Sequence, residues 1–423
     1  MCLDFAKAFD KVDFLVTMRK LKEMGISGKL GPWIHAFLTN RKQHVVVDGR
    51  RTPSSDVKSG LPQGSVLGPL LFLVLIGDID HDVASAFVSS FADDTRAGKG
   101  IATLQDVDDL QSDLSSIYHW AEDNNMDFNA KKFELMRYGP SNEVKNMSSY
   151  TTMTGEHIQE VEHTRDLGVI MSSSGTFKKH IQNTVLSANM MCGWVLRTFK
   201  TRHRTLMMTL WKSLVRSKMD YCCQLWSPNL TGDIQAIEQV QRSYVRKISG
   251  MQGMSYWQQL SALSLYSLER RRERYILLYV WRILEGLSPN FCDPEDGGIK
   301  VNWNNRRGRM CVVPAISRQA SAAVQRLRGT SFAIRGPKLF NTLPRELRNM
   351  TGCSVESFKS QLDKYLRSVP DEPQVPGYTA CRRADSNSLI HMAQFTSAQH
   401  VSQLEEPDNV SAAGGGHPWP PWV

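Results

Sequence analysis

Asp4, Asp93 and Asp94 are the residues whose type and placement could do chemistry together. Asp4 closes a short apolar stretch, Met1 to Leu3, which reads as the end of a strand. Asp93 and Asp94 follow the run Ala86 to Phe91 and precede small and polar residues, as at the tip of a hairpin. If the two stretches are neighbours in an antiparallel sheet, the three carboxylates converge. Unpaired, such a group is unfavourable, since two like charges ~4 Å apart repel by roughly 4 kcal/mol at an effective dielectric of about 20. Divalent cations remove that cost. Hard oxygen ligands suit Mg²⁺, which keeps waters and borrows phosphate oxygens from a substrate. Two such ions, about 3.5–4 Å apart, activate an attacking hydroxyl and stabilise a leaving oxyanion in phosphoryl displacement. An isolated Asp-Asp is more often a turn, but an apolar strand feeding directly into the pair favours a site.

The elements that must position these acids follow from periodicity. Ala6 to Met24 reads as a helix, with Gly25 to end it, and Pro32 to Leu38 as a short second one. His44 to Val47 reads as a strand with a turn at Asp48-Gly49, Ser59 to Gly64 as loop, and Leu67 to Ile76 as a helix apolar all round and therefore buried. Leu104, Val107, Leu110, Leu114 and Ile117 recur at helical spacing within Leu104 to Trp120. Met126 to Phe128 and Glu134 to Tyr138 read as short strands. Strand, helix, strand–turn–strand, helix, strand is an α+β layout, an antiparallel sheet with helices on one face. Beyond residue 140, His157 to Met171 suits a hairpin, and Phe177 to Leu287 is mostly helical. Residues 291–350 read as basic and irregular, and Val355 to Leu366 as a last amphipathic helix. From Pro370 onward Pro, Gly, Ser and Gln accumulate, and that tail reads as disordered.

The 423 residues carry a formal net charge of +9, unevenly spread. Arg197 to Arg282 holds 15 Lys/Arg against 5 Asp/Glu, and Lys300 to Met350 holds 11 against the single acid Glu346. Basic runs behind a carboxylate cluster suit a polyanionic partner, although any one run also reads as a solvated helix face. The eight cysteines, Cys2, Cys192, Cys222, Cys223, Cys292, Cys311, Cys353 and Cys381, include no C-x-x-C pair, so zinc-finger and disulfide frameworks are poor readings. The expectation is reduced thiols in an intracellular protein, and Met1-Cys2-Leu3-Asp4 does not read as a signal peptide, so secretion is not expected. The longest apolar run, Val66 to Ile76, contains Gly68 and Pro69 and is too short to span a bilayer, so no membrane partner is expected.

Leu3-Asp4-Phe5-Ala6-Lys7-Ala8-Phe9-Asp10 resembles motif A of reverse transcriptases in its LINE-type form. Ser59-Gly60-Leu61-Pro62-Gln63-Gly64-Ser65-Val66-Leu67-Gly68-Pro69-Leu70-Leu71-Phe72 resembles motif B, and Phe91-Ala92-Asp93-Asp94 motif C. Trp120 followed by Met126-Asp127-Phe128-Asn129-Ala130-Lys131-Lys132 resembles motif D, and Asp166-Leu167-Gly168-Val169 the start of the primer-grip hairpin. Ser217-Lys218-Met219-Asp220-Tyr221, Trp226-Ser227-Pro228, Phe340-Asn341-Thr342-Leu343-Pro344 and Phe358-Lys359 resemble the jockey-like branch of non-LTR retrotransposons. The resemblance implies a ferredoxin-like polymerase palm over 1–140, a primer-grip hairpin and helical thumb over 141–290, a basic region over 291–370 and a tail over 371–423. It implies an RNA-directed DNA polymerase using two Mg²⁺ ions, or Mn²⁺, with dNTPs, an RNA template, and a DNA primer or nicked target DNA as partners.

Carried over by position, the resemblance gives Asp4, Asp93 and Asp94 the metals. Phe9 takes the steric-gate position against a ribose 2′-hydroxyl, and a core Phe at a helix start is equally compatible. Gln63 and Gly64 would lie against the incoming nucleotide. Lys132 is the proton donor to pyrophosphate, or else a solvated surface lysine beside Lys131. Most aromatics between residues 194 and 282 read as core. Arg270, Arg271, Arg272 and Arg274, with Arg306, Arg307 and Arg309 as a second cluster, are the expected phosphate contacts. The family's fingers and apurinic-type endonuclease lie upstream of motif A, so the chain reads as a truncated copy of an element or a partial gene model. Two rival readings stand beside the polymerase. One is a catalytically silent nucleic-acid-binding remnant. The other is an unrelated two-metal nuclease or phosphatase, which leaves Phe9 and Pro62-Gln63-Gly64 unexplained.

Overall fold

The computed structural model describes residues 1–139, 143–144, 148–290, 298–372 and 387–392. It is a mixed α+β structure whose contacts form two units, Met1–Gly175 and Thr176–Val423. The hairpin expected to open a second region after residue 140 belongs to the first unit. The expected disordered tail lies outside the described residues except for Asp371, Glu372 and residues 387–392, where Leu389 and Met392 are buried.

The strands of the first unit are β1 (Cys2–Leu3), β2 (Lys42–Gln43), β3 (Val46–Val47), β4 (Arg50–Arg51), β5 (Ser55–Asp56), β6 (Phe87–Phe91), β7 (Asp94–Gly98), β8 (Glu134–Leu135), β9 (Gln159–Glu160), β10 (His163–Asp166) and β11 (Val169–Ser172). One five-stranded sheet runs β6-β7-β1-β8-β9, antiparallel except where β8 meets β9. The others pair in twos, β2 with β5, β3 with β4 and β10 with β11. The predicted turn at Asp48-Gly49 joins β3 to β4 with φ of 49° and 77°, and Leu167-Gly168 joins β10 to β11 with φ of 43° and 85°. Two-residue hairpin turns of this hand need positive φ.

The unit's helices include α1 (Ala8–Lys11), α2 (Phe14–Glu23), α3 (Leu30–Leu38), α4 (Leu67–Ile76) and α5 (Leu104–Asp123), with a 3-10 turn at Ala130–Lys132. The single helix expected over Ala6 to Met24 is two. Asp13 interrupts it, and its carboxylate accepts the Leu15 and Val16 backbone N–H groups at 2.7 and 3.0 Å, which caps α2. Helix α4 is not buried all round, because Leu70 and Leu73 are more than half exposed while Leu71, Phe72, Leu75 and Ile76 face the core. Of the strand expected over Met126 to Phe128, only a bridge between Phe5 and Phe128 forms.

Helix α5 braces the sheet. Val107, Leu110, Leu114, Ile117 and Trp120 are buried in one core with Leu3, Phe5, Leu71, Phe72 and Leu135. Trp120 Nε1 donates to Asp78 Oδ1 at 2.8 Å, and the buried Lys20 ammonium donates to the same oxygen at 2.5 Å and to the Leu75 carbonyl at 2.7 Å. Burial of such a cation is tolerated because each direction it faces offers an acceptor.

In the second unit, Phe177 to Leu287 is helical as expected. The helices Lys178–Thr198, Arg204–Leu210, Arg216–Asp220, Thr231–Val245 and Leu268–Leu284 dominate it, with a π-helical turn at Trp211–Val215. Trp211, Trp226 and Trp281 are fully buried, whereas Trp194 is about half exposed. Of the stretch expected to be irregular, 291–297 lies outside the described residues and much of the rest is regular: Val301–Asn304 pairs with Gly308–Cys311, and Ala322–Thr330, Phe332–Asn341 and Arg345–Arg348 are helices. The Leu268–Leu284 helix shares a core with Leu339, Phe340, Phe358 and Leu362, and Trp281 stacks on Phe358 at 4.4 Å. Residues on either side of 290 thus build one hydrophobic core, because neither the helix nor the later segment can bury its apolar face alone.

The α5 N-terminus carries a pH dependence. The Ala102 N–H, the Thr103 N–H and the Thr103 hydroxyl donate to Asp106 and hold its carboxyl down at about 2. A value below that of the unfolded chain, about 3.9, means stabilisation that is present above about pH 4 and lost as pH falls towards 2. The thermal midpoint followed by circular dichroism should drop over that window, and Asp106→Asn should flatten that part of the profile.

Candidate active site

The backbone brings the three acids to one end of the sheet. In the β1–β7 ladder Cys2 stands across from Arg96 and Leu3 across from Thr95. One step on, the same register sets Asp4 opposite Asp94. Asp93 and Ala92 form the β6–β7 turn, with Ala92 at φ 52°. Asp94 is exposed, and Asp4 and Asp93 are half-buried.

A second strip of chain lies along Asp4 on its other side. The Asp4 carbonyl accepts the Asn129 N–H at 2.7 Å, the Ala6 N–H donates to the Asp127 carbonyl at 2.8 Å, and Lys11 pairs with Asp127. Phe5 stacks on Phe128 at 4.4 Å and pins this strip from below. Lys132 is thereby delivered to Asp4, its Nζ 3.0 Å from Oδ2. That oxygen is closed to solvent and makes no hydrogen bond of good geometry, so Lys132 meets it as a charge rather than as an aligned donor.

The loop from Ser59 to Gly64 docks on the other flank. Gly60 N–H donates to the Val12 carbonyl at 2.9 Å, Leu61 N–H to the Phe9 carbonyl at 2.8 Å and Ser59 Oγ to the Asp10 carbonyl at 2.9 Å, while Arg41 donates to the Gly60 carbonyl. Gln63 Nε2 donates to Asp10 Oδ1 at 3.0 Å, and Gly64 is exposed with φ 79°. Phe9 stacks on Phe72 at 4.6 Å and is half-buried, the contact of a Phe packed at a helix start. Asp10 is the hub of this docking, and reading motifs as separate strings missed it.

The donor chemistry of Asp4, Asp93 and Asp94 fits a hard divalent cation, and the solvent-closed Asp4 oxygen without an aligned donor is what such a site would leave. Their side chains do not form a ready cage, and among the described residues no group of three His, Cys, Asp or Glu is close enough to hold an ion. Mg²⁺ commonly takes one or two carboxylates and completes its shell with water and substrate phosphate.

Two further residues support the hairpin. Arg96, two residues past Asp94 on β7, pairs with Asp166 on β10. Asp113 on α5 is buried and accepts four hydrogen bonds from residues 84–86, which lead into β6. Its signal was legible, since position 113 lies on the inward face set by Leu110, Leu114 and Ile117, where a carboxylate needs a reason.

The expected phosphate contacts require correction. The Leu268–Leu284 helix is enclosed on nearly every side. Arg270 is fully buried and donates to the carbonyls of Val369, Pro370 and Asn387 at 3.0–3.2 Å. Arg271 forks onto Asp220 at 2.8–3.0 Å, and Arg274 reaches Asp363 at 2.7 Å. Arg272 is buried beside Glu269 and Glu238. Arg309 is buried against Glu285 at 2.6 Å. Charges at these depths persist because they are paired inward, so they are not presented to a polyanion. Arg306 and Arg307 are exposed and remain candidates.

Among known proteins, the model of the family described as reverse transcriptase (RNA-dependent DNA polymerase) matches residues 1–171. The chain is similar to the RNA-directed DNA polymerase from mobile element jockey of Drosophila funebris, 27% identical over 259 residues, and to that of Drosophila melanogaster, 26% identical over 259 residues. Each alignment covers 59% of this chain and 28% of the relative, so the chain spans little over a quarter of these proteins. The Pol polyprotein from type-1 retrotransposable element R2 of Popillia japonica is 24% identical over 199 residues, 43% of this chain and 32% of that protein. A solved telomerase from Candida albicans aligns with 68% of this chain and 49% of its own at 13% identity and a TM-score of 0.30, too faint a likeness to argue from.

Two substitutions probe these assignments. A Cβ at Gly60, where φ is 89°, would stand 2.7 Å from the Asp10 carbonyl oxygen. Gly60→Ala should therefore undock the loop and cost about 1–3 kcal/mol in urea unfolding. Arg274→Ala should lower stability by about 2 kcal/mol in urea unfolding through the stranded Asp363.

Proposed function

We infer, since the reverse transcriptase family model matches residues 1–171, that this chain's first unit is a polymerase palm and that it adds dNTPs to a DNA primer on an RNA template. The observation that carries the reading is the β1–β7 register, which stands Asp4 across from Asp94 with Asp93 beside it. The strand order β6-β7-β1-β8, connected β-α-β-β-α-β in the large sheet, is that expected of a ferredoxin-like palm. The helical second unit would serve as thumb and carry the primer–template, with Arg306 and Arg307 as phosphate contacts. A nicked target DNA can stand as the primer, and work on nucleic acid of this kind suits a protein of nucleus and cytoplasm.

Asp4, Asp93 and Asp94 would hold the divalent ions, two Mg²⁺ or Mn²⁺. When bound, the ions would acidify the primer 3′-hydroxyl and stabilise the leaving pyrophosphate. The rest is the work of this chain's own side chains. The Phe9 ring, immobilised on Phe72, would exclude a ribose 2′-hydroxyl. Gln63 would present its amide to the nucleotide from a loop fixed by Asp10, and Gly64 leaves room for backbone approach. Lys132 Nζ holds a proton that it can give to pyrophosphate, once a substrate draws it from Asp4.

That ion pair also favours a second reading, a catalytically silent nucleic-acid-binding remnant in which Lys132 permanently neutralises Asp4. Primer extension separates the two. With RNA template, DNA primer, dNTPs and Mg²⁺, the chain should extend the primer, and Asp93→Asn/Asp94→Asn should reduce the rate by about a thousandfold or more, roughly 4 kcal/mol of barrier. Salt-dependent duplex binding without extension would leave the remnant.

A further inference from the structure

Strand β6 leads directly into the turn that carries Asp93 and Asp94, yet little in its own sequence holds it down. It is the edge strand of the sheet, and four of its five residues are exposed, Phe87 and Phe91 among them. Among the described residues its strand neighbour in the sheet is β7. Ala86 and Val88 pack partly on the core, and the polar groups just before the strand are gathered by one side chain. Asp113 on α5 is 3% exposed. Its Oδ1 accepts the Ala84 N–H at 2.8 Å, and its Oδ2 accepts the Ser85 N–H at 3.1 Å, the Ser85 hydroxyl at 2.6 Å and the Ala86 N–H at 2.7 Å. Three successive backbone donors are thus gathered by one carboxylate immediately before β6 begins. Burial alone would lift the Asp113 carboxyl, but these donors hold it below its usual range, so it stays ionised.

We infer that Asp113 is a positioning residue for the Asp93–Asp94 hairpin: it locks the entry of β6 to the rigid helix α5 and so fixes where the two carboxylates stand. The inference rests on the reading of Asp93 and Asp94 as metal holders. Helix α5 is anchored in the core by Val107, Leu110, Leu114 and Ile117, all within two turns of Asp113. An edge strand tied to such a helix at one end and to β7 along its length has no freedom to swing its turn. With the tie removed, the ladder to β7 remains but the strand entry is loose, and carboxylates that must stand within a fraction of an ångström of a shared ion lose registration. In Asp113→Asn the amide has one oxygen where the carboxylate has two, so its NH₂ group must face a backbone N–H, whichever way it is turned.

The test uses the full chain with three variants: Asp113→Asn; Ser85→Ala, which removes one donor and leaves the carboxylate; and Asp108→Asn, an exposed, charge-matched control on α5. Hydrogen exchange is followed across Phe87–Gly98, and Mn²⁺ alone is titrated by electron paramagnetic resonance. Asp113→Asn should accelerate exchange in this hairpin and weaken Mn²⁺ binding, each about tenfold, as expected for one stranded buried donor. Ser85→Ala should move both in the same direction by less, and Asp108→Asn should move neither. Where primer extension is present, kcat should fall with KM for dNTP little changed. A uniform rise in exchange over the whole first unit, or hairpin exchange and Mn²⁺ affinity equal to those of the unaltered chain, overturns the inference. The exchange measurement reads positioning whether or not the chain polymerises, so a chain that neither binds Mn²⁺ nor extends a primer defeats the polymerase reading separately. If Asp113→Asn does not fold, Ser85→Ala decides the matter alone.

Discussion

The pairing of Cys2 and Leu3 with Arg96 and Thr95 is the interaction on which the rest of the first unit depends. Two residues of ladder are enough to set a register, and side-chain period 2 makes that register decisive: a slip by one residue would turn Leu3 out of the core and Asp4 away from Asp94. Leu3 and Phe5, which flank Asp4 in the chain, are both buried, so hydrophobic burial and the placing of Asp4 opposite Asp94 are satisfied by the same alignment. The cost of gathering acids is met locally by Lys132 at Asp4, an arrangement that bound cations could replace.

Around this ladder the structure repeats one device, a polar side chain that stitches a loop to a rigid element. Asp10 gathers the 59–64 loop, Asp13 restarts a helix, Asp113 holds the approach to β6, and Asp78 joins Lys20 to Trp120. Each carboxylate accepts hydrogen bonds from groups distant from it in sequence or at a chain reversal. The site is therefore carried less by its own loops than by α2, α4 and α5, whose apolar faces share one core.

The second unit uses charge for the opposite purpose. Its basic composition suggests an open polyanion-binding face, but Arg270, Arg272 and Arg309 are buried, and Arg271 and Arg274 are spent on Asp220 and Asp363. Arg270 donates to the backbone carbonyls of Leu366, Val369, Pro370 and Asn387 and thereby attaches late segments of the chain to the Leu268–Leu284 helix. Net charge is a sum over residues and carries no information about which direction each one faces.

Much of the first unit was legible in the sequence because its signals are local. The spacing of Leu104, Val107, Leu110, Leu114 and Ile117 made α5 readable, Asp48-Gly49 made its turn readable, and the Asp93-Asp94 pair at the end of an apolar strand made the hairpin readable. The same order of motifs carried the resemblance to reverse transcriptases, whose family model matches residues 1–171. The break at Asp13, the exposure of Leu70 and Leu73, and the β-hairpin within 301–311 were not legible, since a cap competes with helical periodicity and one apolar run serves equally for a buried or a half-buried helix. What the sequence determined by itself was which short segments form and which residues could do chemistry, since propensity, turn conformation and periodicity act over a few neighbours. Only the tertiary structure decided that Lys132 meets Asp4, that Asp113 steadies the hairpin and that the arginine run turns inward, because the partner of a charge is chosen by burial among residues far apart in the chain.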